Sequence, residues 1–326
     1  VLVAAQTLQD SPARRGEVLL KNVRVAVIGA GHMGRYHAQK FAACEGAELA
    51  AVVDADASRA ANFPGTPFFA SHKNILSTCD AVVIAVPTDR HYAIARDCIA
   101  HGLHVLIEKP IAATLAQADT LIRLAKKKKV VLQVGHVERF NRGFAAISAR
   151  IDRPMFIETE RLAPFKARGV EVDVVMDLMI HDLDLMVALA RSEVKRVSAS
   201  GFRVLTRDID IATAYIEFNS GCVANLSASR VSQAAVRKLR IFQSGVYLSA
   251  DLQSGAVRFL TQTAGEVQQT DENYSGGDAL AEQARSFVSP IQNRRGAAVP
   301  GEDGRRALKL ALEVGRLVRA RLKRFK

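Results

Sequence analysis

Three glycines, placed between a predicted strand and a predicted helix, constrain the fold of this chain more than any other feature. The apolar, β-branched run Val23–Ile28 predicts a short buried strand, and Gly29, Gly31 and Gly34 follow it. Apolar residues then recur at helical spacing from Met33, so the glycine turn joins a strand directly to a helix. This arrangement is typical of the first strand–turn–helix unit of a dinucleotide-binding sheet.

Short apolar strands continue to alternate with amphipathic helices up to about residue 135. Further strands are predicted over 49–53, 80–86, 104–107 and 130–134, and helices over 92–100 and 115–128. Such alternation places parallel strands side by side, with helices on both faces of the sheet. We therefore expect an α/β fold whose first domain, residues 23–135, is a Rossmann-type doubly wound parallel sheet. Residues 1–22 are expected to form an N-terminal extension.

The pattern of the second half is different. Residues 172–189 predict one long helix, and apolar–polar alternation predicts strands over 213–218, 223–228, 239–243 and 246–250. Short gaps with turn residues between these strands indicate antiparallel hairpins. Closing helices are predicted over 278–289 and 305–322. We expect an α+β domain over residues 136–326 with an open, mostly antiparallel sheet, and with closing helices able to pack back on the first domain.

The positive charge of the chain is concentrated in two places. From residue 304 to 326 nine Lys or Arg residues accompany one acid, Glu313, and account for +8 of the net charge of +12. Four lysines, 126–129, end another predicted helix, where cations suit the helix dipole. No nucleic-acid motif accompanies the basic helix, and no apolar run approaches the ~20 residues that span a bilayer. We therefore expect a solvated basic helix, no nucleic-acid partner and no membrane insertion.

The four cysteines predict neither a disulfide framework nor a metal site. They form no C-x-x-C pair and have no metal-binding spacing with histidine. Their apolar neighbours indicate buried thiols in a reducing compartment, so we expect a cytoplasmic protein without a metal. The residues are Cys44, Cys79, Cys98 and Cys222.

Asp54 ends the second predicted strand, 20 positions after Gly34. A carboxylate there can accept hydrogen bonds from the adenosine ribose and repels a 2′-phosphate, which favours NAD. Ala55 follows, but Arg59 lies close enough to leave NADP as an alternative. The pyrophosphate is expected at the helix N-terminus. The expected cofactor contacts of this region are Gly29, Gly31, His32, Met33, Gly34 and Asp54.

Two further segments carry residues suited to proton transfer. Glu108, Lys109 and Pro110 stand at the carboxyl end of a predicted strand, the edge at which open α/β sheets bind ligands, and the bond before the proline is a candidate cis peptide. Asp177 and His181 are one helical turn apart, so the carboxylate is expected to orient the imidazole and raise its basicity. The alternative for Glu108 and Lys109 is a solvated ion pair in a loop, and the alternative for Asp177 and His181 is a surface pair. No third ligand at a suitable spacing suggests a metal site.

The glycine turn, the 87–91 stretch, Glu108-Lys109-Pro110 and the Asp177/His181 pair together resemble the Gfo/Idh/MocA family of oxidoreductases. The resemblance covers the chain from about Val23. It implies that Lys109 and His181 act at the reacting hydroxyl, that Asp177 binds substrate, and that Thr88, His91 and Glu108 lie near the nicotinamide riboside. Segment 135–141 resembles the family's domain junction, although His136 replaces the more usual aromatic residue. The substrate contacts expected there are His136, Glu138, Arg139 and Asn141.

Segments 136–141, 175–185 and 240–251 are similar to the branch of that family that oxidises UDP-N-acetylglucosamine at its 3-hydroxyl, ahead of lipid A biosynthesis. The likeness implies NAD-dependent oxidation of a ring secondary alcohol. Arg161, Lys166 and Arg168 are expected in a loop that meets the diphosphate. Inositol, another polyol or a free sugar is the alternative substrate, and a non-catalytic NAD-sensing protein is the alternative class. Related proteins pair through the second sheet, so a homodimer or homotetramer is expected.

Overall fold

The computed structural model describes residues 21–166, 172–263 and 265–325. Two sheets form the molecule, one of six strands and one of eight. The α/β class, with a parallel Rossmann sheet followed by a mostly antiparallel one, is therefore confirmed. Most of the expected extension, residues 1–20, lies outside the described residues, as does Arg168.

The first sheet has the strand order β3-β2-β1-β4-β5-β6, and all of its strand pairs are parallel. Its central strands are almost entirely apolar and buried, which is expected of a sheet covered on both faces. Its strands are β1 (Val23–Ile28), β2 (Ala47–Val53), β3 (Phe68–Phe69), β4 (Ala81–Ile84), β5 (His104–Glu108) and β6 (Leu132–Gly135). Its first three helices are α1 (His32–Ala42), α2 (Thr88–Ala100) and α3 (Leu115–Lys128).

The second sheet has the order β14-β13-β12-β11-β7-β10-β9-β8. Every pair is antiparallel except β7 with β10, which run parallel at the middle of the sheet. Residues on β9 alternate: Ala212, Ala214 and Ile216 are buried in the core, and Thr213 and Tyr215 face outward. The strands are β7 (Phe156–Leu162), β8 (Val194–Phe202), β9 (Ile211–Phe218), β10 (Val223–Ser229), β11 (Val236–Gln243), β12 (Val246–Asp251), β13 (Ala256–Thr263) and β14 (Glu266–Asn273).

Four more helices follow α3 in the described part of the chain. They are α4 (Arg142–Arg150), α5 (Ile180–Ala190), α6 (Ala279–Asn293) and α7 (Gly301–Leu322). Helix α5 continues a π-helical turn, Val175–Met179, so the single helix expected over 172–189 has a widened first turn. Helix α6 packs on α1, and the closing helices therefore do pack back on the first domain.

Helix α7 contacts both halves of the molecule. It packs against α5 and β8 on one side, and against α3 and β6 on the other. Its basic residues are partly paired: Arg305 binds Asp119, and Arg316 binds Glu313 at 2.7 Å. The basic segment is thus an interdomain helix with one buried face, and not a helix solvated on all sides. In the described part of the chain, no helix combines the length and apolarity needed to cross a membrane.

Candidate active site

The glycine turn after β1 packs closely against neighbouring backbone atoms. Gly29 has φ +100°, and a Cβ there would lie 2.5 Å from the carbonyl oxygen of Ala85. A Cβ on Gly34 would lie 1.6 Å from the carbonyl oxygen of Gly29. Helix α1 then begins at His32 with Gly31 as its N-cap, so no side chain blocks the N–H groups of its first turn. Such a helix end can hold a pyrophosphate.

Asp54, at the end of β2, is tied to the glycine turn. Its Oδ2 accepts a hydrogen bond from the Ala30 N–H at 2.7 Å, and its Oδ1 accepts from the Asp56 N–H at 2.9 Å. The guanidinium of Arg59 also reaches this group, with Nη1 3.2 Å from Asp54 Oδ2 and Nε 3.1 Å from Asp56 Oδ2. The residue that was expected to select NAD therefore carries an arginine neighbour.

A cleft of about 490 Å³ runs along this carboxyl edge of the sheet. It lies between the glycine turn, the end of β2 and the start of α2. Among its lining residues are Gly29, Gly31, Asp54, Arg59, Pro87 and Arg90. The cleft, the open helix end and the Asp54 carboxylate together fit the adenosine diphosphate part of a dinucleotide.

Beyond the cleft, buried contacts fix the turn that follows β5. Glu108 Oε1 lies 2.7 Å from His37 Nε2, and Glu108 Oε2 accepts from the Lys109 N–H at 3.2 Å. Burial alone would raise the pKa of Glu108, but these contacts outweigh it and hold the pKa below its usual range. His91 Nδ1 and Nε2 lie 2.9 Å from the carbonyl oxygens of Pro110 and Val86. The Lys109–Pro110 peptide is cis.

The ammonium group of Lys109 joins the first half of the molecule to the second. Its Nζ donates to the carbonyl oxygen of Asp177 at 2.7 Å and lies 3.3 Å from Asp177 Oδ1. The lysine side chain is only 18% exposed, whereas that of Asp177 is 44% exposed. The structure thus brings together two of the residues expected to be catalytic, from segments 68 positions apart.

The expectation that Asp177 orients His181 and raises its basicity is wrong. The π-helical turn changes the spacing of successive turns, and the Asp177 carboxylate is directed to Lys109. Burial lowers the pKa of His181 well below its usual range, and the charges of Lys109 and Arg161 act in the same direction. A neutral imidazole can accept a proton, so His181 remains suited to act as a base.

His136 lies beside His181, with ring centroids 6.5 Å apart and ring planes perpendicular. It is 1% exposed, and neither of its ring nitrogens has a hydrogen-bond partner among the described residues. The Nδ1 of His181 is unpartnered in the same way. Burial, the largest influence, lowers the pKa of His136, so its ring is neutral. Together the two rings have three buried nitrogen atoms without a hydrogen-bond partner among the described residues, and the charge of Lys109 acts on both rings.

Three other expected substrate contacts are occupied by contacts within the protein. Glu138 accepts from Arg161 Nη1 at 2.8 Å, and Arg139 donates from Nε to Asp184 Oδ2 at 2.6 Å. The side chain of Asn141 caps α4 and donates to the carbonyl oxygen of Leu252 at 2.8 Å. These side chains hold the domain junction together.

The expectation that Arg161 lies in a loop facing the diphosphate is also wrong. Arg161 is on β7 and is 5% exposed, because Asp182 and Glu138 stabilise its buried charge. Lys166 is exposed in the segment after β7, and Arg168 lies outside the described residues.

Sequence reasoning missed the buried acids of α5 and their partners. Asp182 and Asp184 interrupt an otherwise apolar helix, and buried acids in such a helix require cationic partners. That signal was available in the sequence, but it does not identify which arginines are the partners. His37, the partner of Glu108, gave no comparable signal.

Comparison with known families agrees with this geometry. Residues 23–136 match the oxidoreductase family model with an NAD-binding Rossmann fold, and residues 146–245 match the GFO/IDH/MocA C-terminal domain. UDP-N-acetylglucosamine 3-dehydrogenase of Acidithiobacillus ferrooxidans is 40% identical over 313 residues, which are 93% of this chain and 99% of that protein. Myo-inositol 2-dehydrogenase of Thermotoga maritima is 27% identical, covering 88% and 94% of the two chains.

Solved structures extend the comparison to the fold. The UDP-N-acetylglucosamine 3-dehydrogenase of A. ferrooxidans superposes with a TM-score of 0.88 at 39% identity, covering 92% of this chain and 98% of that chain. A scyllo-inositol dehydrogenase from Lactobacillus casei with bound NAD(H) and scyllo-inositol has the same fold, with a TM-score of 0.79 at 18% identity over 92% and 98% of the chains. The chain is a member of the GFO/IDH/MocA oxidoreductase family, a dehydrogenase with an NAD-binding Rossmann domain.

Proposed function

We propose that this enzyme oxidises the 3-hydroxyl of UDP-N-acetylglucosamine to the 3-keto sugar with NAD as hydride acceptor. Two observations carry the proposed chemistry: Lys109, at the carboxyl edge of the first sheet, reaches across to Asp177, and its charge helps to keep His181 neutral. The proposed substrate rests on the relative from A. ferrooxidans, which is 40% identical over nearly its whole length. In keeping with that substrate, we place the enzyme ahead of lipid A biosynthesis, in the cytoplasm, where its four buried free thiols stay reduced.

Lys109 and His181 divide the proton chemistry at the reacting hydroxyl. Two hydrogen bonds from Lys109 Nζ go to Asp177, and no further acceptor for it lies among residues 21–166, 172–263 and 265–325. Its third N–H is free to donate to the substrate oxygen and to stabilise the charge that develops there. His181 accepts the hydroxyl proton. NAD, when bound, supplies the acceptor for the hydride.

We place His136 against the sugar. A buried polar group without a partner costs about 1–3 kcal/mol, and this ring leaves two nitrogens without partners. A neutral imidazole offers one donor and one acceptor, which suits a sugar hydroxyl or an acetamido group. Substrate binding would supply the missing hydrogen bonds. Of the residues expected in the sequence to meet the diphosphate, Lys166 and Arg168 remain the proposed contacts.

The second sheet supplies the proposed oligomer interface. Its inner face packs on α5 and α7, while its outer face leaves apolar groups at the surface, with Ile211 36% and Tyr215 42% exposed. We propose that two copies pair through this outer face to form a homodimer, or a homotetramer built from such dimers.

A substrate panel tests the proposed reaction. Purified protein with NAD is offered UDP-N-acetylglucosamine, UDP-glucose, N-acetylglucosamine and myo-inositol, and the absorbance of reduced nicotinamide is followed. We expect UDP-N-acetylglucosamine to have the highest kcat/KM. If myo-inositol exceeds both UDP-sugars, the polyol activity of the T. maritima relative is the better assignment. If no compound reduces the cofactor, the proposed function fails and this dehydrogenase acts on another alcohol.

A further inference from the structure

Three buried charged side chains, Glu138, Arg161 and Asp182, form a group next to His181. Arg161 donates from Nε and Nη2 to the two oxygens of Asp182, at 3.0 and 2.9 Å, and from Nη1 to Glu138 at 2.8 Å. The exposed fractions of the three side chains are between 5% and 7%. Burial would lower the pKa of Arg161, but the two carboxylates outweigh it and raise that pKa, so the guanidinium stays charged.

These three side chains come from three different parts of the fold. Glu138 belongs to a short 3-10 turn after β6, Arg161 lies on β7, and Asp182 lies on α5. Asp182 directly follows His181 in the chain. A two-pronged arginine–carboxylate contact fixes both distance and orientation, so it also fixes the turn of α5 that carries the imidazole.

A role in diphosphate binding does not fit this geometry. Every donor nitrogen of Arg161 already contacts a buried carboxylate, and removing one partner from such a group leaves an uncompensated buried charge. We infer that Glu138, Arg161 and Asp182 form a positioning unit that holds His181 at the reacting hydroxyl. This inference rests on the proposed function, in which His181 is the base.

The charge of the unit also acts on His181. The titratable and charged groups that face or adjoin the imidazole are Lys109, His136, Arg161, Asp177, Asp182 and Arg237. Arg161 is one of the positive charges that keep His181 neutral. Replacing Arg161 by methionine removes that charge and leaves Glu138 and Asp182 behind, so protonation of His181 becomes easier.

The chain provides a matched control, a second buried arginine whose carboxylate partner also lies on α5. Arg139 donates from Nε and Nη2 to Asp184, at 2.6 and 2.9 Å, and lies 3.4 Å from Asp303. It is also largely buried and joins the same 3-10 turn to α5. It is not among the charges with the largest effect on the pKa of His181, whereas Arg161 is. Loss of Arg139 therefore removes a similar buried contact without the same charge effect.

The experiment compares R161M, R139M and wild type by measuring kcat and kcat/KM from pH 5 to 9 with NAD and UDP-N-acetylglucosamine. Thermal unfolding and NADH binding, followed by fluorescence, are measured alongside. Both variants are expected to lower Tm and to keep NADH binding within a few-fold. Only R161M should move the acid limb of the kcat/KM profile upward, by about one pH unit. Unmoved profiles in both variants would leave only a structural role and overturn the inference.

Two further variants keep the outcome decisive. R161K retains the charge but lacks the planar fork, so its kcat should fall at least tenfold with the profile unmoved. If R161M does not fold, R161K decides: wild-type kcat overturns the inference, and the expected fall supports it. H181N tests the proposed base separately. If H181N keeps wild-type turnover, the proposed function fails, whereas an inactive H181N with an unmoved R161M profile overturns only the positioning unit.

Discussion

At the scale of single residues, the proposed reaction depends first on Lys109. Replacement by methionine keeps most of the apolar stem but removes the donor that addresses the substrate oxygen. We expect kcat to fall by about 10²–10⁴-fold, the usual contribution of an acid–base group. NADH binding should stay within a few-fold, since the ammonium group contacts Asp177 across the domain junction. Unchanged turnover would remove Lys109 from the mechanism.

The state of His181 gives a second prediction. A base must be unprotonated to act, and burial lowers the pKa of this imidazole well below its usual range. The acid limb of kcat/KM should therefore lie well below the ordinary histidine value of about 6.5, so that wild-type kcat/KM changes little between pH 7 and 8. A limb centred near the ordinary histidine value of about 6.5 would show that the imidazole is not held neutral in the working enzyme.

Asp54 is the residue that we expect to select NAD. Asp54→Ala should raise KM for NAD and reduce discrimination against NADP, because the carboxylate faces the cleft and would repel a 2′-phosphate. Asp56→Ala is the matched control, since Asp56 also binds Arg59 but is not among the residues that line the cleft. The two variants are compared by kcat/KM with each cofactor. A wild-type preference for NADP would contradict this role.

The residue types of the site were predictable, but some of their contacts were not. The order of the glycine turn, the Glu108-Lys109-Pro110 segment and the Asp177/His181 pair indicated where chemistry would occur. The sequence did not reveal that a π-helical turn directs Asp177 to Lys109. Nor could it reveal that Arg161 is buried between two acids, since the partners are 21 and 23 positions away.

At the scale of elements, the packing of α1 on the glycine turn is the most constrained contact. Gly34→Ala would place a methyl group 1.6 Å from the Gly29 carbonyl oxygen, so the turn or the helix must shift. We expect a loss of about 1–3 kcal/mol in the free energy of unfolding, together with weaker NADH binding. Gly296→Ala is the control, because it has open space and no positive φ. Equal stability of the two variants would contradict this packing.

Strands of the first sheet were predictable because both faces are covered and their residues are almost all apolar. Strands β7 and β14 are two of the strands for which no specific prediction was made. β7 contains Glu158, Glu160 and Arg161, and only its ion pairs make such a sequence acceptable at the centre of a sheet. β14 is polar and largely exposed, so it has no apolar face to reveal it. In both cases tertiary contacts, and not local pattern, determine the strand.

At the scale of the whole molecule, the outer face of the second sheet gives a prediction about assembly. Wild type should have a mass in solution of at least twice 35.3 kDa by light scattering. Tyr215→Arg places a charge at the middle of the proposed interface and should lower that mass. Leu312→Arg changes a similarly exposed apolar residue on α7, outside that face, and should not. A monomeric wild-type protein at micromolar concentration would refute the interface.

The position of α7 has a consequence for the order of events during synthesis. Its Leu308 completes the core of the first sheet, while Leu310 and Val314 belong to the core of the second. The ribosome makes this helix after all the described strands and after helices α1 to α6. Domains usually fold in turn as they emerge, but here each of these two cores lacks residues until α7 has left the exit tunnel. We expect a nascent chain stalled before residue 301 to expose apolar residues of both cores at once, and therefore to bind chaperones.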